Sequence, residues 1–224
     1  MLLKENCNMI HYFVARCYKV IASVQDNLIS FYHKEKLGYC ANDVIFKKPD
    51  TITCHKKINI GKNSHIFEHS KILISEYGDE GKLIVKENVC IAQGLTVITG
   101  SHNRSVGRRI KENILEHYKD SNLDVVIEDD VWIGANVTLL AGVHVGRGCN
   151  IGAGSVVRNN IPPYAIVVGN PSKIIGFCFT PEEIVEHEKI LYHEEERLSL
   201  SILETNYQKY FLKRLKEIKE YTKI

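Results

Sequence analysis

The chain has 224 residues, of which 44% are hydrophobic, with 29 Lys and Arg against 27 Asp and Glu. This is a globular composition, and a formal charge of +2 without a long basic run predicts no nucleic-acid partner. Because no stretch of about eighteen apolar residues occurs and the start MLLKENCNMIHYF does not resemble a signal peptide, we expect a cytoplasmic protein without an integral membrane segment. Seven scattered cysteines without a CxxC pair predict reduced thiols.

The first predicted element is an amphipathic helix over residues 9–36. Apolar residues recur there at steps of three and four, from Ile10 to Phe31. We expect this helix to pack against the rest of the chain or against a neighbouring subunit. A helix lying on a membrane surface is the alternative, which the weakly basic flanks disfavour. Residues 1–50 are assigned to an N-terminal helical segment.

A six-residue repeat follows and is clearest from Ile127 onward, where the chain reads IEDDVW, IGANVT, LLAGVH, VGRGCN, IGAGSV, VRNNIP. An aliphatic residue begins each hexad, and an apolar or small residue holds its fifth position. This period is neither the 3.6 of a helix nor the 2 of a strand. It is typical of a coil with three short flat faces, whose strands stack in parallel on the next turn. Glycine at the second position, as in Gly134, Gly146 and Gly152, is expected to turn the corners.

The same phase extends back to Cys54, with two interruptions, and makes thirteen hexads or slightly more than four turns. The first interruption, residues 75–82, is predicted to be a turn. The second, residues 103–124, is a long loop excursion of the kind that carries function. We therefore assign residues 51–178 to the coil. Residues 179–224 are predicted to form C-terminal helices, one beginning at the Thr180-Pro181 capping sequence and one over 201–221.

The segment from Val131 to Ile175 resembles the hexapeptide-repeat acyltransferases, above all in VWIG at 131–134, GAGS at 152–155, IPP at 161–163 and GNP at 169–171. The resemblance implies a mainly β fold, a left-handed parallel β-helix with helical segments at both ends. The handedness comes from the resemblance alone, because general chirality rules favour the opposite hand. The order ITGSHN, loop, VWIG is most similar to the maltose/galactoside and the capsular-polysaccharide or sialate O-acetyltransferases. Those are homotrimers that use acetyl-CoA in clefts between subunits.

His102 matches the catalytic histidine of these families. A sugar hydroxyl is a weak nucleophile at neutral pH, so an imidazole must remove its proton during attack on the thioester. If the excursion leaves and rejoins the coil on the same face, the hexads of Val97 and Leu139 stack. His144 is then predicted to lie beside His102, where it either faces solvent or lines the acyl-donor side of the cleft.

Other site residues are implied by the same resemblance or, in the excursion, by its positive charge. Trp132 corresponds to a tryptophan near the acceptor, where it stacks on a sugar or serves only packing. The cationic segment NRSVGRRIK is predicted to bind an acidic glycan or the CoA phosphates, with Asn103, Arg104 and Arg108 as candidates, or to be a solvated loop. CoA is expected along Ala135 and Ala153, with its nucleotide near Arg158, Asn159 and Lys173. Two positions depart from the family pattern, Ala135 for serine and Gly176 for a cation.

The leading hypothesis is an acetyl-CoA-dependent O-acetyltransferase acting on a sugar of a cell-surface polysaccharide or its precursor. The alternatives are N-acetylation of a nucleotide-linked amino sugar and acetylation of another small molecule. A different class would be a non-catalytic or metal-binding trimer of the same coil. No metal is expected, because three suitably spaced histidine ligands are not found in the sequence.

Overall fold

The computed structural model describes residues 2–76, 78–102, 104–116 and 121–222. A long N-terminal helix precedes a coil of short strands, and three helices follow it. The helices are α1 (Leu2–Lys36), α2 (Ile110–Glu116), α3 (Pro181–Leu191), α4 (Leu200–Tyr210) and α5 (Leu215–Thr222), with 3-10 turns at His55–Lys57, Glu194–Glu196 and Leu212–Arg214.

The strands are two to five residues long. In chain order they are β1 (Tyr39–Cys40), β2 (Ile45–Phe46), β3 (Thr51–Ile52), β4 (Ile58–Ile60), β5 (His65–Ile66), β6 (Lys71–Leu73), β7 (Leu83–Val85), β8 (Cys90–Ile91), β9 (Thr96–Ile98), β10 (Gly100–Ser101), β11 (Ser121–Asn122), β12 (Val125–Ile127), β13 (Trp132–Ile133), β14 (Thr138–Leu139), β15 (His144–Val145), β16 (Asn150–Ile151), β17 (Val156–Val157), β18 (Ala165–Val168) and β19 (Lys173–Phe177).

These strands form three faces, each a parallel sheet that runs up the coil. The first face is β1-β4-β7-β12-β15, the second is β2-β5-β8-β13-β16-β18, and the third is β3-β6-β9-β14-β17. Only β19, which pairs with β18 at the end of the second face, is antiparallel within them. Leu139 pairs with Val97 on the third face, so the predicted stacking of these two hexads is confirmed. The parallel sheets fit a left-handed β-helix.

The core is a column of aliphatic side chains inside the coil. The residues that begin the hexads on all three faces are fully or almost fully buried: Ile60, Ile66, Ile72, Val85, Ile91, Val97, Ile127, Ile133, Leu139, Val145, Ile151 and Val157. The fifth positions from Val131 to Ile161 are buried too, including the small residues Cys149 and Ser155. The predicted period is therefore confirmed, because each face turns one side chain inward per hexad.

The expectation that the second-position glycines turn the corners is wrong. Left-handed backbone occurs at the fourth position of the hexad, for example at Asn136 (φ 57°) and Gly142 (φ 80°), and Asn and Gly tolerate this conformation best. The second-position glycines serve another purpose. A Cβ on Gly134 would lie 2.6 Å from the backbone nitrogen of Ala153. Glycine at this position therefore lets two successive turns approach closely, rather than turning the chain.

The ends of the coil also differ from the sequence assignment. Helix α1 begins at Leu2 rather than at residue 9, and β1 and β2 lie inside the segment assigned as helical. The predicted helix over 201–221 is divided, because Phe211 takes up non-helical dihedral angles (φ −121°, ψ −68°) between α4 and a 3-10 turn. Helix α3 has the capping box predicted at Thr180. Within the described residues, no helix is long and apolar enough to cross a membrane.

Candidate active site

The excursion leaves the coil at the corner between the third and first faces. It is closed at its base by an antiparallel ladder in which β10 pairs with β11, Gly100 opposite Asn122 and Ser101 opposite Ser121. The backbone nitrogen of Leu123 donates to the carbonyl oxygen of Thr99 at 2.8 Å. The chain therefore returns to the corner it left, and the ladder holds the two ends of the excursion together.

His102 immediately follows β10, at the base of this excursion, and its side chain is exposed. Asn103 lies outside the described residues. Arg104 and Arg108 are exposed on the excursion, where the Arg108 nitrogen donates to the carbonyl of Ser105 at 3.2 Å. The described part of the cationic segment thus projects from the same corner as His102.

His144 does not stack on His102, so that prediction is wrong. The excursion removes residue 102 from the coil, and Val126 in β12 pairs with His144 instead. The Nε2 atom of His144 lies 2.7 Å from Oε1 of Glu128, and Lys86 donates to the other carboxylate oxygen at 2.5 Å. Burial would raise the pKa of the Glu128 carboxyl, but the hydrogen bonds from Lys86 and His144 outweigh it and hold that pKa below its ordinary value.

Sequence reasoning did not anticipate this Lys86–Glu128–His144 cluster. Lys86 and Glu128 each follow the residue that begins a hexad on the first face, and Val85 pairs with Ile127 one turn apart. Opposite charges at stacked positions are neighbours in a parallel sheet. Had the residues of the excursion been left out of the repeat count, the alignment of Val85 with Ile127 on one face would have predicted that Lys86 and Glu128 are neighbours.

Trp132 begins β13 on the second face, next to the corner with the first. Its neighbours in the sheet are Cys90 and Asn150, and 49% of its surface is exposed. An outward ring at this level of exposure is available for stacking and does not belong to the core.

The residues predicted to hold CoA occupy two corners. Ala135 and Ala153 stack at the corner between the second and third faces, where the Gly154 nitrogen donates to the Ala135 carbonyl at 2.8 Å. A Cβ added to Gly154 would meet nothing within 4 Å. This corner is thus a ridge of small residues with open space beside it, which suits the close approach of an extended thiol arm to backbone amides.

The cationic candidates stand further up the coil. Arg158 and Asn159 are exposed and follow β17 directly. They lie at the corner between the third and first faces, two turns along the coil axis from the point where the excursion leaves. At the spacing of neighbouring strands, two turns are roughly 10 Å. The Lys173 ammonium lies 4.5 Å from the centre of the Tyr221 ring. The backbone nitrogen of the adjoining Ser172 donates to the carbonyl oxygen of Val156 at 3.0 Å, so Lys173 lies near the beginning of β17, the last strand of the third face.

A single chain therefore distributes its candidate residues over three corners. His102 is at the corner of the third and first faces, Trp132 beside that of the first and second, and Ala135 at that of the second and third. One face, on the order of 15 Å of extended chain, separates neighbouring corners. Among the described residues, no group of three His, Cys, Asp or Glu side chains is placed to hold a metal ion.

Comparison with known proteins identifies the family. The model of the bacterial transferase hexapeptide (six repeats) matches residues 124–159. The Saccharomyces cerevisiae protein YJL218W, named as an acetyltransferase, is 32% identical over 158 residues, which are 70% of this chain and 75% of the yeast protein. The chain belongs to the hexapeptide-repeat acetyltransferases.

Solved structures of this family agree with the assignment. The hexapeptide-repeat acetyltransferase VCA0836 of Vibrio cholerae, in complex with acetyl-CoA, is 25% identical with a TM-score of 0.54, over 66% of this chain and 74% of that one. A maltose O-acetyltransferase of Clostridium difficile is 25% identical with a TM-score of 0.51, over 63% and 70%. A chloramphenicol acetyltransferase of Klebsiella aerogenes is 48% identical over 61 residues, only 27% of this chain and 29% of its own length.

Proposed function

We propose that the protein is an acetyl-CoA-dependent O-acetyltransferase of a sugar hydroxyl, in a cell-surface polysaccharide or its precursor, with His102 as the general base. The observation that carries this proposal is the position of His102. It is an exposed imidazole at the base of an excursion whose two ends are held together by the β10–β11 ladder. The similarity to a maltose O-acetyltransferase supports a sugar as acceptor.

The chemistry requires one proton to move twice. Neutral His102 takes the proton of the acceptor hydroxyl while its oxygen attacks the thioester carbonyl carbon. A carbon–oxygen bond forms, the carbon–sulfur bond breaks, and the imidazolium returns the proton to the departing thiolate. Because the side chain of Ala135 has no donor, only a backbone N–H could stabilise the developing oxyanion there.

The distribution over three corners supports a homotrimer as the active form. A three-faced prism has flat sides that can pack around a threefold axis. Such packing would bring the His102 corner of one copy against the Ala135–Ala153 ridge of another, which one chain cannot do by itself. Acetyl-CoA would supply the activated acetyl group. Arg158, Asn159 and Lys173 would hold its phosphates, with Arg158 the strongest candidate because its guanidinium is exposed.

The acceptor side is assigned to Trp132 and to the cations of the excursion. An indole that is half exposed can stack on a sugar ring, and Arg104 and Arg108 favour an acidic glycan over a neutral one. Asn103 is retained as a third candidate in this group.

The same proposal includes the organisation of the chain. Residues 1–50 contain the N-terminal helix and the first strands of the coil, residues 51–178 the catalytic part of the coil with its excursion at 103–124, and residues 179–224 the C-terminal helices. The strands at 39–46 would then be the base on which the catalytic coil is built. The cytoplasm is the proposed location, as the compartment in which a precursor sugar and acetyl-CoA meet.

The test is release of CoA thiol from acetyl-CoA, measured with a chromogenic thiol reagent across a panel of neutral and acidic sugars. We expect His102→Asn to lower kcat by about 10²- to 10⁴-fold on the best acceptor, because proton removal is lost while donor binding remains. The matched control is His193→Asn, an exposed histidine of the C-terminal segment, which should keep full activity. Unchanged kcat in His102→Asn would exclude His102 as the base.

A second candidate is acetylation of an amine or another small molecule. Some relatives match only locally but at higher identity than the yeast protein, and they include the chloramphenicol acetyltransferase and a 2,3,4,5-tetrahydropyridine-2,6-dicarboxylate N-acetyltransferase of Staphylococcus aureus, 51% identical over 51 residues. Amino sugars and amines therefore belong in the same panel. Binding of acetyl-CoA with no turnover of any acceptor would instead indicate a non-catalytic trimer.

A further inference from the structure

Helix α1 carries its apolar side on the outside of the molecule. Between residues 13 and 31, steps of four and three residues repeat over 18 residues, which is five turns, so the side chains form one straight line about 27 Å long. We call this line the outer stripe, and it consists of Phe13, Cys17, Val20, Val24, Leu28 and Phe31. Its five aliphatic and aromatic members are between 54% and 67% exposed, so the described chain leaves them uncovered.

The opposite side of the helix faces the coil and is attached to it through polar side chains. Asp26 forms an ion pair with Lys48 at 2.9 Å. The Lys34 ammonium donates to the Val44 carbonyl at 2.7 Å, and His33 bonds to His55 across the same junction at 2.8 Å. At 100° per residue, Asp26 and His33 lie roughly 180° from the centre of the outer stripe. Amphipathic surface helices normally do the reverse and turn the apolar side towards the core.

The helix also projects beyond its attachment. Every residue from 11 to 21 is exposed, whichever side of the helix it occupies. The polar contacts with the coil named above lie in the second half, which ends beside the 3-10 turn at His55–Lys57. Residues 11–21 thus receive little cover from the rest of the described chain, and helices without tertiary cover are only marginally stable in water.

We propose that the outer stripe is an interface between copies of this chain, in which α1 helices pack side by side, parallel and in register. A repeated apolar line at steps of three and four residues is the pattern by which helices pack against one another. Rotational symmetry then brings each stripe against its own equivalent. This surface is separate from the flat faces of the coil, so the proposal does not depend on the catalytic assignment.

Area and charge favour a second copy as the occupant. The exposed parts of the stripe, together with the flanking Ile21, amount to roughly 600 to 700 Å² per helix, close to the 800 Å² per partner of a standard interface. The stripe itself carries no charge, and among the described residues that line the shallow cavity around Cys17 and Val20, Arg16 is the one cation. A helix that binds lipid headgroups would instead be expected to carry many cations beside its apolar side.

Cys17 provides a direct test, because an exposed thiol on the stripe faces its own counterpart in a parallel, in-register pair. The experiment uses the full chain with Cys7→Ser, so that one cysteine remains in α1, and oxidises it briefly with copper–phenanthroline. We expect disulfide-linked dimers on a non-reducing gel, in a fraction that stays constant on ten-fold dilution. Cys17→Ser should remove them.

The decisive variant is Val20→Glu with Val24→Glu, which places charges on the stripe. It should lower the linked fraction at least ten-fold, whereas Ser23→Glu with Gln25→Glu, on exposed positions beside the stripe, should not. Circular dichroism confirms that both variants keep their helix. Absence of linked dimers while Cys17 still reacts with a maleimide, or dimers that persist in the stripe variant, would overturn the proposal. So would flotation of the unmodified chain with phosphatidylcholine vesicles in place of cross-linking, which would indicate a lipid surface.

Discussion

The two helical segments that flank the coil have similar amphipathic patterns but are attached in opposite ways. The C-terminal helices turn their apolar sides inward and bury Ile184, Leu203 and Ile218, each less than a tenth exposed. Helix α1 turns its polar side inward and leaves the outer stripe uncovered. An amphipathic pattern therefore tells which side of a helix needs cover, but not which chain provides it.

The attachments differ in burial as well as in polarity. At the C-terminal end, the carboxylate of Glu188 is buried and accepts from the Tyr164 hydroxyl at 3.0 Å and from the Leu198 nitrogen at 2.5 Å. Arg147 adds a third contact at 3.3 Å. At the N-terminal end, by contrast, the Asp26–Lys48 pair is almost half exposed on both sides. The first attachment resembles a protein core, and the second a surface contact.

Of the predicted effects on stability, the largest is expected from truncating Ile184, the apolar side chain by which α3 is docked. Ile184→Ala removes a side chain that is 1% exposed, and we expect it to lower the free energy of unfolding by about 3 kcal/mol, from lost burial and the cavity left behind. The control on the same helix is Ile190→Ala, at a site 82% exposed, which should change that free energy by less than about 0.5 kcal/mol. Urea titration at a fixed chain concentration measures both. Equal effects would mean that α3 is not docked through this side.

The second largest loss of stability is expected from changing the buried carboxylate of Glu188. Glu188→Gln keeps the shape but leaves one of the three donors without its acceptor, so we expect a loss of about 2 kcal/mol in the same titration. Glu186→Gln serves as the matched control, because Glu186 is exposed and forms a surface ion pair with Lys189 one turn away. A loss as large in Glu186→Gln would show that charge, rather than burial, determines the effect.

The smallest effect is expected at α1, as a dependence on pH. Partial burial, together with the neighbouring His55 and Lys36, lowers the pKa of His33 below its ordinary value of 6.5. The detached helix then binds a proton more readily than the attached one, so attachment is strongest above pH 6.5 and weakens as the pH falls below it. Hydrogen exchange of residues 22–36, corrected for intrinsic rates, should show about two- to five-fold less protection at pH 5.5 than at pH 7.5.

His33→Gln is the control for that measurement and should remove most of the pH dependence. Protection of α4 should not follow the same profile, since that helix contains no histidine. If α1 and α4 lose protection together, the two attachments are not independent, and the contrast between them fails.

The comparison of sequence with structure is clearest in the coil. The hexads beginning at Ile127 and Leu139 could be placed without coordinates, because a repeat buries one side chain per face wherever the coil closes. The role of Gly134 was misread, because the sequence does not tell whether glycine is needed for a left-handed φ or for the approach of the next turn. Asn136 and its fourth-position equivalents turn the chain, and their tolerance of left-handed φ was the available signal.

In the candidate site, too, some features were predictable from the sequence and others were not. His102 was located from its motif, and the structure places it at the base of the excursion. The prediction for His144 was wrong because it depended on register across the excursion, and a long insertion leaves register undetermined by periodicity. The contact of His144 with Glu128 could not be predicted for the same reason, because it depends on which residues stack in successive turns.

The sequence by itself determined the coil, its three faces, the point where the excursion leaves it and the family, since each depends on residues close together in the chain. Only the tertiary structure decided that His102, Trp132 and Ala135 lie at three different corners, and that α1 turns its apolar stripe away from its own coil. Both depend on how distant segments pack. Local pattern records which side chains avoid water, while packing decides what covers them.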